Sequence, residues 1–178
     1  MRSLALLLLF SLALPIQAGE LAQRVEQLGA NVIFMRHALA PGFGDPTNFD
    51  IKRCDTQRNL DSEGRQQARE IGALLKAEPL KFSQIRSSEW CRCYETADLL
   101  GLGEWQTFSG LNSFFQGYAP RQQTLEKLNA YLQGLSSDDL VLLVTHQVVI
   151  SATTGISPPS GGLVLYNSTS GKSESWSW

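Results

Sequence analysis

Histidine is almost missing from this chain: its 178 residues contain two, His37 and His146. Two histidines with no third ligand-like partner nearby make a poor metal site, so no metal is expected. Charge is sparse as well. Charged residues make up 18% of the chain and the formal net charge is −2. There is no basic run and no excess of Lys and Arg, which argues against a nucleic-acid partner. No apolar run reaches the about 20 residues needed to cross a bilayer, so no permanent membrane anchor is expected. Repeats, long linkers and low-complexity blocks are absent too, although Ser168 to Ser177 is rich in serine.

What is present begins with a leader. Arg2 supplies a short basic start, Leu4 to Leu14 an apolar stretch, and Pro15 and Ala18 precede Gly19-Glu20. Residues 1–18 therefore read as a cleavable secretory signal with the cut after Ala18, although Ile16 is an atypical residue three positions before a cut. The expected location is periplasmic or secreted. The remainder, residues 19–178, suits one domain with a full core.

Two runs stand out in that remainder. Val32-Ile33-Phe34-Met35 is apolar without interruption and stops on Arg36-His37, and Leu140 to Val144 is another such run, stopping on Thr145-His146. Unbroken apolar runs rich in β-branched residues suit strands buried on both faces of a parallel sheet. Both histidines thus fall at the carboxyl ends of the two most strand-like segments, where open α/β sheets bind ligands.

Around these strands the pattern is mainly β-α-β-α. Leu21, Val25 and Leu28 predict a helix over 20–28 ended by Gly29. Residues 38–57, with Pro41, Gly42, Gly44 and Pro46, form a long irregular stretch leaving the Arg-His corner; loops of this length are usually functional, and this one is a candidate substrate lid. Asp61 and Ser62 cap a helix whose inner stripe is Gly64, Ala68, Ile71 and Leu75, closed by Pro79. A strand over 82–86, a helix over about 90–100, an edge strand over 105–108 and a helix over about 122–135 follow. A helix from Val148 to Thr153 is broken at Gly155, and strands are expected around Leu163 and Leu165 and near Trp176. The expected fold is a three-layer α/β/α sandwich with a mainly parallel central sheet. Arg92 falls in the first turn of its helix, where backbone N–H groups and the positive dipole end favour an anion.

Arg36 and Arg92, which can each offer planar paired donors, together with two histidines make a pocket suited to a phosphate dianion. One histidine can act as a nucleophile and the other can donate to a phosphate oxygen. Arg36-His37, Arg58-Asn59-Leu60 with Gly64 and Gln67-Ala68, Ser87-Ser88 with Arg92 and Thr96-Ala97, and Thr145-His146 resemble, in order and spacing, the motifs of the histidine phosphatase superfamily. The resemblance spans roughly residues 31–155. It implies an enzyme, a cofactor-independent phosphatase in which His37 forms a phosphohistidine and His146 assists. The implied partner is a small phosphorylated substrate or a phosphoprotein. In compact size the chain is similar to small bacterial phosphohistidine phosphatases. A phosphomutase and a weakly catalytic anion-binding module are the alternatives.

The resemblance also bears on the cysteines. Cys93 stands where the family usually has a small buried alanine, which implies a packed thiol, and with it a Cys54–Cys91 bridge in an oxidising compartment. Three departures from the family are visible. Ala38 replaces the glycine after Arg-His. Asn112, within Leu111 to Phe115, and Gln147, directly after His146, stand where members carry a carboxylic acid; both are candidate substrate contacts. A phosphoramidate or another activated phosphate tolerates a missing general acid best. Asp45, Asp50 and Asp55 in the long loop are the alternative acids.

Overall fold

A computed structural model describes residues 19–178; the expected leader, residues 1–18, lies outside the described residues. Six strands form one sheet in the order β3-β2-β4-β1-β5-β6. They are β1 (Val32–Arg36), β2 (Gln84–Ser87), β3 (Gln106–Thr107), β4 (Val141–Thr145), β5 (Leu163–Tyr166) and β6 (Ser173–Trp176). β1 pairs in parallel with β4, β4 with β2 and β2 with β3, whereas β5 and β6 add on as an antiparallel edge. The sheet is thus mainly parallel, as expected.

Alternate residues of the central strands feed two cores, one on each face. Ile33, Met35, Leu142 and Val144 pack with residues of helices α1 (Glu20–Leu28), α2 (Ser62–Ala77) and α3 (Cys91–Leu100). Val32, Phe34, Val141 and Leu143 pack with Leu128 and Leu132 of α4 (Arg121–Gln133) and Val149 and Ile150 of α5 (Gln147–Thr154). Burial on both faces accounts for the unbroken apolar runs, and the helices complete three layers. The expected inner stripe of α2 is buried, with Asp61 accepting from the Gly64 N–H at 2.8 Å. Gly64 is also a close-approach residue: a Cβ there would lie 1.9 Å from the Leu39 carbonyl oxygen. That contact lets α2 press against the segment leaving β1.

The central register brings the functional termini together. Arg36 pairs with Thr145, and the His37 N–H donates to the Thr145 carbonyl at 2.9 Å. β2 runs parallel beside β4, so Ser87 and Ser88 emerge at the same end. No helix among the described residues is long and apolar enough to cross a membrane.

The loop over 38–57 is less free than a lid. Its interior is knitted by side chains: Thr56 Oγ1 accepts from the Asp50 N–H, and the Gln57 amide donates to the Asp50 and Ile51 carbonyls. Phe49 stacks on Trp90 at 5.0 Å and on Tyr118 at 4.4 Å. Cys54 and Cys91 are joined by a disulfide, leaving Cys93 free and buried. The loop is therefore pinned to the start of α3.

Candidate active site

His37 follows β1 immediately and is 2% exposed. Its Nδ1 lies 2.8 Å from the Ala38 carbonyl oxygen. A carbonyl only accepts, so the proton resides on Nδ1 and the Nε2 lone pair faces the pocket. There it accepts from Arg92 Nε at 3.2 Å. His146, at the end of β4, is oriented by a chain of groups. Its Nε2 donates to Ser88 Oγ at 2.9 Å, and Ser88 Oγ donates to Asn112 Oδ1 at 3.2 Å. Asn112 in turn takes the Glu89 N–H on Oδ1 and donates from Nδ2 to Glu89. This leaves His146 Nδ1 towards Arg92 Nη2, 3.5 Å away. The two imidazole centroids are 5.4 Å apart.

Arg92 is the hub, and every one of its N–H groups is engaged. Nε donates to His37, Nη1 to Asp45 and the Arg58 carbonyl, and Nη2 to Asp45 and His146. The Arg92–Asp45 pair is nearly dry, with side chains 4% and 5% exposed and a shortest N–O distance of 2.8 Å. Asp45 also accepts from the Trp90 indole and the Arg58 N–H. Burial alone would push the Asp45 carboxyl up, but the hydrogen bonds and charge of Arg92 outweigh it and hold Asp45 below its ordinary value. Of the three loop aspartates expected as alternative acids, only Asp45 reaches the site, and there it is a carboxylate rather than a proton donor. Asp55 pairs with Arg53 at the surface, and Asp50 accepts from the Lys52 N–H.

The pocket, of about 350 Å³, is lined by Arg36, His37, Arg58, Arg92, His146 and Gln147 among others, and no Asp or Glu lines it. Arg36 donates from Nη1 to the Pro158 carbonyl, while its buried Nε has no hydrogen-bond partner among the described residues. A buried donor left over at a site calls for an acceptor. Arg58 stands out in the sequence only as part of a motif, yet it reaches the pocket, donating to the carbonyls of Gly44 and Ala40. Burial, and next the charge of Arg92, lowers it to about 10.

The remaining expected site residues divide. Arg36, His37, Arg92, His146 and Gln147 come together around the pocket. Asn112 does not join them; it is 6% exposed and its amide is spent on Ser88 and Glu89, so it orients His146 from behind. The first amide of α3 is not open to an anion either, because the Cys91 N–H donates to Gln57 Oε1 at 2.9 Å.

Burial, followed by the charge of Arg92, lowers both histidines well below their ordinary value, so both are neutral near pH 7. The unfolded chain charges its histidines below about pH 6.5, whereas the folded chain resists, so unfolding takes up protons there. The stability from neutral burial is complete above pH 6.5 and is lost as pH falls, by up to about 1.4 kcal/mol per pH unit for each histidine. Urea unfolding followed from pH 7.5 to 5.5 should show a slope approaching two protons, with His146→Asn removing one. A flat profile would mean that the imidazoles are charged in the fold.

Three guanidinium groups and one carboxylate leave two uncompensated positive charges around neutral histidines. Together with the sheet topology, this defines an α/β protein whose central strand ends gather a net positive charge. The sequence profile of the histidine phosphatase superfamily (branch 1) matches residues 32–113. Over these residues the chain carries the sequence pattern of that superfamily. Three solved structures share its fold. The protein histidine phosphatase SixA complexed with tungstate is 18% identical, with 83% of this chain and 94% of that one covered and a TM-score of 0.53. A phosphoglycerate mutase from Thermus thermophilus is 20% identical, covering 76% and 92%, with a TM-score of 0.54. The product of open reading frame Rv3214 from Mycobacterium tuberculosis is 16% identical, covering 82% and 95%, with a TM-score of 0.58. No curated protein matches the chain in sequence.

Proposed function

We propose that this protein is a cofactor-independent phosphatase that hydrolyses a phosphate monoester or phosphoramidate through a phosphohistidine on His37. One observation carries the reading: the lone pair of His37 Nε2 faces a pocket whose two surplus positive charges match a phosphate dianion. In the first step Nε2 forms a bond to phosphorus as the bond to the leaving group breaks, and the leaving group departs with the electron pair. In the second, water adds to phosphorus and the electron pair returns to Nε2. Arg36, Arg58 and Arg92 hold the equatorial oxygens as charge redistributes. His146, tuned by Ser88 and Asn112, takes up a proton as the dianion arrives and donates it to a phosphate oxygen.

Residues 19–178 are proposed to act as one domain. The Cys54–Cys91 bridge supports an oxidising location, periplasmic or secreted, for the exported chain. Substrates are small phosphorylated compounds or phosphoproteins.

No carboxylic acid lines the pocket and the His146 proton serves the phosphoryl oxygens, so a poor leaving group goes unprotonated. General acid catalysis typically contributes about 10²–10⁴-fold, and here that contribution is missing. Phosphate release across a series of aryl and alkyl phosphates should therefore fall steeply as leaving-group pKa rises. Gln147→Asp should raise alkyl ester turnover more than that of activated aryl esters. A shallow dependence in the wild type would show that an acid acts, and tight phosphate binding without release from any substrate would defeat the phosphatase reading.

A further inference from the structure

Four large hydrophobic side chains are exposed among the described residues, and two of them meet at the mouth of this pocket. Phe43 is 89% exposed and Phe115 39% exposed, and both line it. Their rings pack edge-to-face with centroids 5.2 Å apart. An aromatic ring this exposed contributes little to the core, so folding does not account for it.

The pair is held in place by backbone that is costly to form. Gln116, next to Phe115, sits at φ 63°, a left-handed conformation rare outside glycine. In that conformation its amide accepts from the Asp45 N–H at 2.7 Å and donates to the Asp45 carbonyl at 3.3 Å. The loop carrying Phe43 is thereby clamped to the segment carrying Phe115. Gly44, at φ 70°, lets the chain pass: a Cβ there would lie 2.6 Å from Gln116 Oε1. Strain of this kind is retained where the surroundings over-determine it, and it clusters at functional sites.

We infer that Phe43 and Phe115 form an aromatic wall that seats the leaving group, and that this leaving group is a phenol: the protein is an aryl phosphatase. The inference rests on the phosphatase reading above and names the substrate class of the same site. Two observations and one chemical fact converge on it. The wall offers ring faces for stacking, next to the pocket that takes the phosphoryl group. Gln147 and Ser113 line the pocket, and no Asp or Glu does. A phenolate departs without a proton far more readily than an alkoxide. A nucleotide would also supply a ring, but its phosphate leaves from a ribose oxygen that needs that proton.

The phenolic ester can be presented by a free aryl phosphate or by a phosphotyrosyl side chain. The test is to compare phenyl phosphate with hexafluoroisopropyl phosphate, an alkyl ester whose alcohol is about as acidic as phenol. With leaving-group acidity matched, wild-type kcat/KM should favour the phenyl ester about fivefold, within the range for one aromatic pairing. Phe43→Ala, at a position too exposed to endanger folding, should remove most of that preference by raising KM rather than lowering kcat. Phe43→Tyr should restore it. A phosphotyrosyl peptide turned over with the same Phe43 dependence assigns the phenol to a protein side chain, and turnover of phenyl phosphate alone assigns it to a small molecule. Phenyl phosphate turnover with no preference over the matched alkyl ester, or a preference that survives Phe43→Ala, would overturn the aryl assignment while leaving the phosphatase reading intact. No phosphate release from any ester or phosphoramidate would overturn both.

Discussion

His37→Ala is expected to lower phosphate release by on the order of 10⁴-fold or more, the scale of loss when an enzyme nucleophile is removed. It should also abolish acid-labile labelled phosphate on the protein. The size of the effect follows from geometry. His37 turns its Nε2 lone pair to the pocket, with Nδ1–H bonded to Ala38, whereas His146 is turned the other way, with its Nε2 committed to Ser88 and its Nδ1 towards Arg92. The change should leave the fold in place, since the β1–β4 pairing depends on the His37 backbone N–H rather than its ring. Circular dichroism and rapid-quench phosphate trapping check the two halves of this statement. Acid-labile phosphate retained on the variant would move the nucleophile elsewhere.

Cys54→Ser is expected to lower the melting temperature by on the order of 10 °C. The bridge links residues 37 apart in sequence, and closing a loop of that length in the unfolded chain is worth roughly 3–4 kcal/mol in the chain-entropy model. For a chain of this size each kcal/mol shifts the melting temperature by roughly 2–4 °C. Cys54 is exposed, so serine adds no buried polar group. Dithiothreitol should reproduce the loss in the wild type and add nothing to the variant. A wild-type melting temperature insensitive to the reductant would show that the bridge contributes no stability. Activity should fall less than stability, because Asp45, Gln57 and Phe49 still tie the loop to α3.

Much of this arrangement can be read from the residues themselves. Val32 to Met35 and Val141 to Val144 contain no polar residue, so only a strand covered on both faces suits them, and their ends place both histidines. The stop of α1 at Gly29 and the Asp61 cap of α2 are local chemistry, legible for the same reason. The two-residue β3 is shorter than its expected span over 105–108, because an edge strand pairs along one side only and its pattern constrains it weakly. Asn112 occupies a position where an acid would reach the pocket, but Ser88 and the Glu89 backbone both need its oxygen, and no periodicity reveals such a tertiary demand. Arg58 reads from sequence as one arginine in a polar stretch; only its burial against Gly44 and Ala40 makes it a pocket residue. Asp45, Asp50 and Asp55 are equivalent as letters in one loop, and three-dimensional contact with Arg92 singles out the first.

The full engagement of Arg92 means that a phosphate does not simply add to this site but enters by exchange. An incoming oxygen acquires an Arg92 donor only where Asp45, a histidine or the Arg58 carbonyl yields one, and Asp45 holds two. The carboxylate is thus a competitor tethered within the molecule, present at a fixed effective concentration whatever the substrate level. A monoanion that replaces it gains one charge for the one it displaces, while a dianion gains a second, so the exchange itself discriminates by charge. In the proposed reaction the same rivalry works in reverse: inorganic phosphate is displaced by a group that never diffuses away, which trades affinity for turnover.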